Sequence, residues 1–165
     1  MKNIYNVIFA TDRKGLFGLD QKIPWNCKAD MSFFRLKTER NVIVMGKNTF
    51  LSLNSEKGLK NRLNIIVSKT YQNQNVEIFN DIQSVFNYLE DNMTNREIYF
   101  IGGISIIQEI IDQYLSCITN IYHSVIDQEI PNENGLYLKI KLNMKDFNLT
   151  IEEKDGFNLH HYVKI

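Results

Sequence analysis

The chain has 165 residues, 44% of them hydrophobic, enough to bury a sizeable core within one folded unit spanning 1–165. Nineteen Lys and Arg residues offset nineteen Asp and Glu residues, so no strong field favours nucleic acid or an anionic membrane, and the expected partner is a small molecule. The apolar patch Val7-Ile8-Phe9-Ala10 is cut off by Thr11-Asp12-Arg13-Lys14, too soon for a signal or membrane segment, and the two cysteines and three histidines carry neither disulfide nor metal-ligand spacing; the expected location is the cytoplasm.

In chain order, Asn3 to Ala10 reads as a buried strand and Ala29 to Glu39 as a helix whose apolar side carries Ala29, Phe33 and Leu36. Asn41 to Met45 and Leu63 to Val67 are short continuous apolar runs suited to strands covered on both faces. Val76 to Phe79 is a further short strand, and Asn80 is the expected N-cap of a helix with Ile82, Val85, Phe86 and Leu89 inward. Glu97 to Ile101 runs into Gly102-Gly103 and a helix over Ile104 to Tyr114. Beyond Cys117 the alternation of strand and helix stops: Ile118 to Ile126, Phe147 to Glu153 and Leu159 to Ile165 read as strands, the last two joined by the turn Lys154-Asp155-Gly156. Ser55 to Asn61 and Pro131 to Gly135 read as surface loops. The expected fold is therefore α/β, a mostly parallel sheet of about eight strands with an antiparallel C-terminal edge and about four flanking helices.

Asp30, in the stretch IPWNCKAD, stands where a helix begins. An acid in a first helical turn is favoured by the macrodipole and ordinarily does nothing else. Here Phe33 and Phe34 lie three and four residues on, on the same flank, and the turn Pro24-Trp25 folds back toward them. Desolvation among aromatic rings raises a carboxylate's pKa and suits it to proton transfer or to gripping an amidine-like edge.

The stretch KGLFGLDQKIPWNCKAD resembles the signature of the dihydrofolate reductase family. FFRLKT, VIVMGKNTFLSL, LKNRLNIIVSK, IYFIGGISII and IYHSVID resemble further segments of that family in the same order, so the likeness spans essentially the whole chain. The resemblance implies reduction of dihydrofolate by NADPH in a monomeric enzyme. It implies that Asp30 binds the N3 and 2-amino edge of the pterin and helps a proton reach N5, supported by Ser124 and with Trp25 beside it. Ile8, Phe9, Ala10, Phe34, Leu53 and Ile101 would line the substrate slot, and Arg62 would take the carboxylate of the glutamate tail, in a turn that lacks the family's usual proline but has Asn61 where left-handed backbone is needed. For the cofactor it implies Gly46, Lys47, Asn48 and Thr49 at the start of one helix, and Ser68 with Lys69 at the 2′-phosphate. It also implies a cis bond at Gly102-Gly103, with Ile104 and Ser105 following it, and Ile107 where the family usually places a tyrosine near the nicotinamide. Ala10 would also contact the cofactor, and Gly15, Gly18 and Ile23 would belong to a loop that closes over the nicotinamide, with Gly18 and Ile23 touching the cofactor. A riboflavin-pathway reductase of similar fold shares the Gly-Gly and phosphate turns but does not explain Trp25 to Asp30 with Arg62; a binding module without turnover is the other alternative.

Overall fold

The computed structural model describes residues 2–18, 23–92, 95–130, 135–138, 142 and 145–165. An eight-stranded sheet runs through the chain in the order β5-β4-β3-β6-β1-β7-β10-β9. Its strands are β1 (Tyr5–Thr11), β3 (Val42–Gly46), β4 (Leu63–Val67), β5 (Glu77–Phe79), β6 (Ile98–Gly102), β7 (Asn120–Ile126), β9 (Phe147–Glu153) and β10 (Phe157–Lys164). The first six in space pair parallel, and β10 and β9 add the antiparallel edge. Helices α1 (Lys28–Thr38), α2 (Lys47–Ser52), α3 (Ile82–Asp91) and α4 (Ile104–Gln113) supply the crossovers and flanks. This is the expected architecture, because parallel neighbours cannot be joined by hairpins.

Successive side chains on a strand point to opposite faces, so the sheet divides the interior in two. On one face Val7, Val44, Ile65, Phe100 and Ile121 meet α3 and α4 through Val85, Phe86, Ile107 and Ile110. On the other, Ile8, Met45, Ile66, Tyr99 and Tyr122 meet α1 and α2 through Ala29, Phe33, Phe34 and Phe50. Strands buried on both faces read as continuous apolar runs, and for that reason β3 and β4 were conspicuous in the sequence.

Three details differ from expectation. In α1 the inward positions are Ala29, Asp30, Phe33, Phe34, Lys37 and Thr38, a stripe of helical period, while Leu36 is 77% exposed because it falls between those rows. The N-cap of α3 is Asp81, one residue later than Asn80; its carboxylate accepts the Ser84 N–H at 2.7 Å. A second, two-stranded sheet pairs β2 (Leu16–Gly18) with β8 (Leu136–Tyr137), and neither strand is long enough to carry a periodic signal. The Ser55 to Asn61 stretch is a loop as expected, whereas residues 131–134 of the other expected loop lie outside the described residues. Among the described residues no helix is long and apolar enough to cross a membrane.

Candidate active site

Asp30 sits in the first turn of α1, half-buried against the face that holds Phe33, Phe34 and Trp25. Burial pushes its carboxyl pKa up, and the Ser124 hydroxyl opposite it pulls in the other direction. Ser124 reaches that position because β7 lies beside β1, with Ser124 in register with Ala10, and its side chain is 1% exposed. Trp25 is buried in the same apolar cluster as Ile8, and Ala10, Phe34, Leu53 and Ile101 pack against that cluster. Seven of the residues expected around Asp30, Ser124 included, are thus gathered on one side of the sheet.

Phe9 is the exception. It points to the opposite face, where its ring stacks on His123 at 4.6 Å between centroids, so it does not line the slot beside Asp30. Alternation along β1 makes this unavoidable once Ile8 and Ala10 face α1.

Arg62 lies at the far end of the same groove. Its Nε donates to Thr38 Oγ1 at 2.9 Å and its Nη1 to the Lys60 carbonyl at 2.7 Å, while Thr38 Oγ1 donates to the Phe34 carbonyl at 2.9 Å. Helix α1 therefore orients both Asp30 and Arg62. Burial, and beyond it the nearby Arg35 charge, holds the guanidinium below its ordinary pKa, although Glu39 opposes them. Where the loop lacks proline, Asn64 holds it: the Leu59 N–H donates to its amide oxygen at 3.0 Å and its amide nitrogen donates to the Leu59 and Arg62 carbonyls at 2.9 and 3.1 Å. Asn61 takes the left-handed conformation, φ 58°, that its short polar side chain tolerates.

On the other side of the groove, two helices begin at the C-terminal ends of neighbouring strands. Gly46 caps α2 and Gly103 caps α4, and neither cap bonds its helix through a side chain, so the first-turn N–H groups of both helices are open to an anionic ligand. The Gly102–Gly103 peptide is cis. A Cβ on Gly102 would stand 3.3 Å from Phe17 Cζ and 3.7 Å from Thr49 Oγ1, and one on Gly103 would stand 3.3 Å from Thr49 Oγ1. These glycines leave bare backbone where side chains would fill the space. Lys47 and Asn48 open α2, and Ile104 and exposed Ser105 open α4. Ser68 and Lys69 stand at the end of β4, with the Tyr71 N–H donating to Ser68 Oγ at 3.1 Å, on the rim of a cavity of about 420 Å³. Ile107 is fully buried in the core and presents no surface to a ligand there. Gly18 ends β2, Gly15 has φ 88°, and Ile23 is 67% exposed; residues 19–22 between them lie outside the described residues.

Phe17 and Asp12 were not among the expected site residues. Phe17 is a lone aromatic in a glycine-spaced loop and had no periodicity to mark it. Asp12 could have been suspected, since Asp-Arg-Lys-Gly is a turn sequence with Asp first and Gly fourth, and the Gly15 N–H does donate to the Asp12 carbonyl at 3.1 Å.

A parallel sheet with two helix starts that carry no side-chain cap, close to bare glycine backbone and to an aromatic slot holding a half-buried carboxylate, is the arrangement of an α/β enzyme with room for a flat ring and an anionic ligand. The sequence model of the dihydrofolate reductase family matches residues 4–162, and the chain belongs to that family. It is 31% identical over 160 residues to the dihydrofolate reductase of Ureaplasma parvum serovar 3, covering 94% of each chain. It is 32% identical over 106 residues to a bifunctional dihydrofolate reductase-thymidylate synthase of Paramecium tetraurelia, covering 64% of this chain and 22% of that longer protein. The fold superposes with a TM-score of 0.78 on a dihydrofolate reductase from Enterococcus faecalis complexed with NADP(H) and RAB-propyl, at 20% identity and with 98% and 96% of the two chains covered.

Proposed function

We propose that this chain reduces 7,8-dihydrofolate to 5,6,7,8-tetrahydrofolate with NADPH, and that Asp30 is the group on which the reaction turns. The observation that carries the reading is a single carboxylate, its pKa raised by burial, placed in an aromatic slot on the sheet face next to the glycine backbone of the second site. A planar N–C–N edge offers two donors, and one carboxylate accepts both in the way it accepts an arginine fork. Asp30 would hold the pterin by that edge and help a proton reach N5. Ser124 keeps the carboxylate oriented, Phe34 and Ile101 confine the ring, and Arg62 presents a guanidinium to the anionic tail. NADPH, when bound, supplies the hydride. Lys47, Asn48, Thr49 and Ser105 would hold its phosphates at the two helix starts, Ser68 and Lys69 would read the 2′-phosphate, and the bare Gly102 and Gly103 backbone suits close approach of a flat ring.

The working form would be a cytoplasmic monomer with no nucleic-acid or membrane partner, in keeping with the balanced charge and with unpaired thiols at Cys27 and Cys117. The deciding experiment is the loss of NADPH absorbance on adding dihydrofolate to the purified chain. Turnover that disappears in Asp30→Asn supports the reading; saturable binding of both compounds without oxidation would replace it with the binding-module alternative.

A further inference from the structure

We propose that Asp12 is a positioning residue for the nicotinamide end of the site: its buried carboxylate fixes the segment that lays Phe17 against Gly102 and ties that segment to the stretch following β7. The inference rests on the functional reading above.

Asp12 is 1% exposed, and its carboxylate is answered by backbone. The Lys14 and Leu16 N–H groups donate to Oδ1 at 2.8 and 2.9 Å, and the Ile130 N–H, 118 residues away in sequence, reaches Oδ2 at 3.4 Å. The neighbouring cations point elsewhere, since Arg13 pairs with Asp127 and Lys14 with Glu129 at the exposed surface. A buried carboxylate that pairs with no cation among the described residues is expensive, and converging N–H groups are what make it tolerable. The backbone of Asp12 is equally engaged: its N–H donates to the Leu16 carbonyl at 3.0 Å, and its carbonyl accepts from the Gly15 N–H at 3.1 Å and from Thr11 Oγ1 at 2.8 Å. Because the Thr11 hydroxyl proton is directed to that carbonyl, its oxygen accepts from His123 Nε2, 2.8 Å away, which joins the same knot to β7.

What this knot delivers is one aromatic ring. Leu16, held by Asp12 through both its N–H and its carbonyl, is fully buried and anchors β2. The next residue, Phe17, brings its ring tip to the bare face of Gly102 and its centroid to 6.4 Å from that of Phe9. With Ile107 sunk in the core, Phe17 presents a partly buried aromatic ring against this bare backbone, and Asp12 holds the segment that carries it.

The test compares the whole wild-type chain with Asp12→Ala and Asp12→Asn. Quenching of the single tryptophan, Trp25, reports binding of NADPH and of 2′-phospho-ADP-ribose, which keeps the phosphates and lacks the nicotinamide. Single-turnover mixing with dihydrofolate reports the hydride step. Asp12→Ala should weaken NADPH about tenfold or more while leaving the fragment almost unchanged, and should slow the hydride step. Asp12→Asn should fall between, because its carbonyl oxygen still accepts the Lys14 and Leu16 N–H groups while its NH2 confronts the backbone N–H of Ile130. Should the alanine variant fail to fold, the asparagine variant decides by the same ratio. Equal weakening of both ligands would make Asp12 merely structural, and no weakening of either in a folded variant would equally overturn the proposal. A wild-type chain that binds NADPH but passes no hydride to dihydrofolate sinks the functional reading alone, since the ratio of the two affinities still judges Asp12.

Discussion

Two carboxylates, one just beyond β1 and one in the first turn of α1, have surroundings that could hardly differ more. Asp12, at the end of β1, is closed off from solvent and accepts N–H groups from three backbone positions. Asp30, at the start of α1, is half-buried and faces the single hydroxyl of Ser124, and burial drives its pKa up. A carboxylate whose lone pairs are already engaged by the chain holds structure in place. One that is desolvated but under-answered has capacity left for a ligand, and its elevated pKa is the sign of that unmet demand.

The contrast can be broken most sharply at Asp30. Asp30→Asn should cut turnover by roughly 10²–10⁴-fold, the range of general acid–base assistance, while circular dichroism stays native; a rate within a few fold of wild type would remove Asp30 from the chemistry. A smaller effect is expected at a residue that serves neither carboxylate. Lys69→Ala should raise the KM for NADPH by about tenfold and hardly alter that for NADH, because a charge-assisted contact to the extra phosphate is lost; parallel losses would show that Lys69 does not read that group. Ser124→Ala removes the hydroxyl that lowers the Asp30 pKa, so the midpoint assigned to Asp30 in the pH–rate profile should move upward and turnover should fall about fivefold. An unmoved midpoint would separate the two side chains.

The subtlest outcome concerns stability. A carboxyl whose pKa is higher folded than unfolded binds its proton more tightly in the native state, so its contribution is fully present below the ordinary carboxylate range and is lost as pH rises through the folded value. At neutral pH the ionised group is therefore a liability, and Asp30→Asn should melt at or above the wild-type temperature there, with the difference shrinking as the solution is acidified. Asp12→Asn, which disturbs satisfied N–H groups, should melt lower. If both amides shift the melting temperature in the same direction, the distinction between a ligand-facing and a chain-holding carboxylate fails.

Much of this site is legible in the sequence alone. Apolar runs buried on both faces marked β3 and β4, the aromatic flank of α1 drew attention to Asp30, and ordered motifs pointed to Ser124, Arg62 and the glycine pair. Where reading along the chain went astray, the cause was local geometry that composition does not carry. Phe9 sits between two slot residues and alternates away from them, Leu36 is apolar yet falls between the buried rows of its helix, and Ile107 occupies a helix position that turns fully into the core.

What the sequence determined by itself was which segments become strands and helices and which side chains could carry the chemistry, because periodicity and helix-start preferences act over a few residues. Only the tertiary structure decided that Asn64 stands in for a missing proline, that three- and two-residue strands pair across more than a hundred positions, and that Asp12 reaches Ile130. Such hydrogen bonds form between groups brought together by the packing of the whole sheet, and a backbone N–H has the same spelling wherever it lies in the chain.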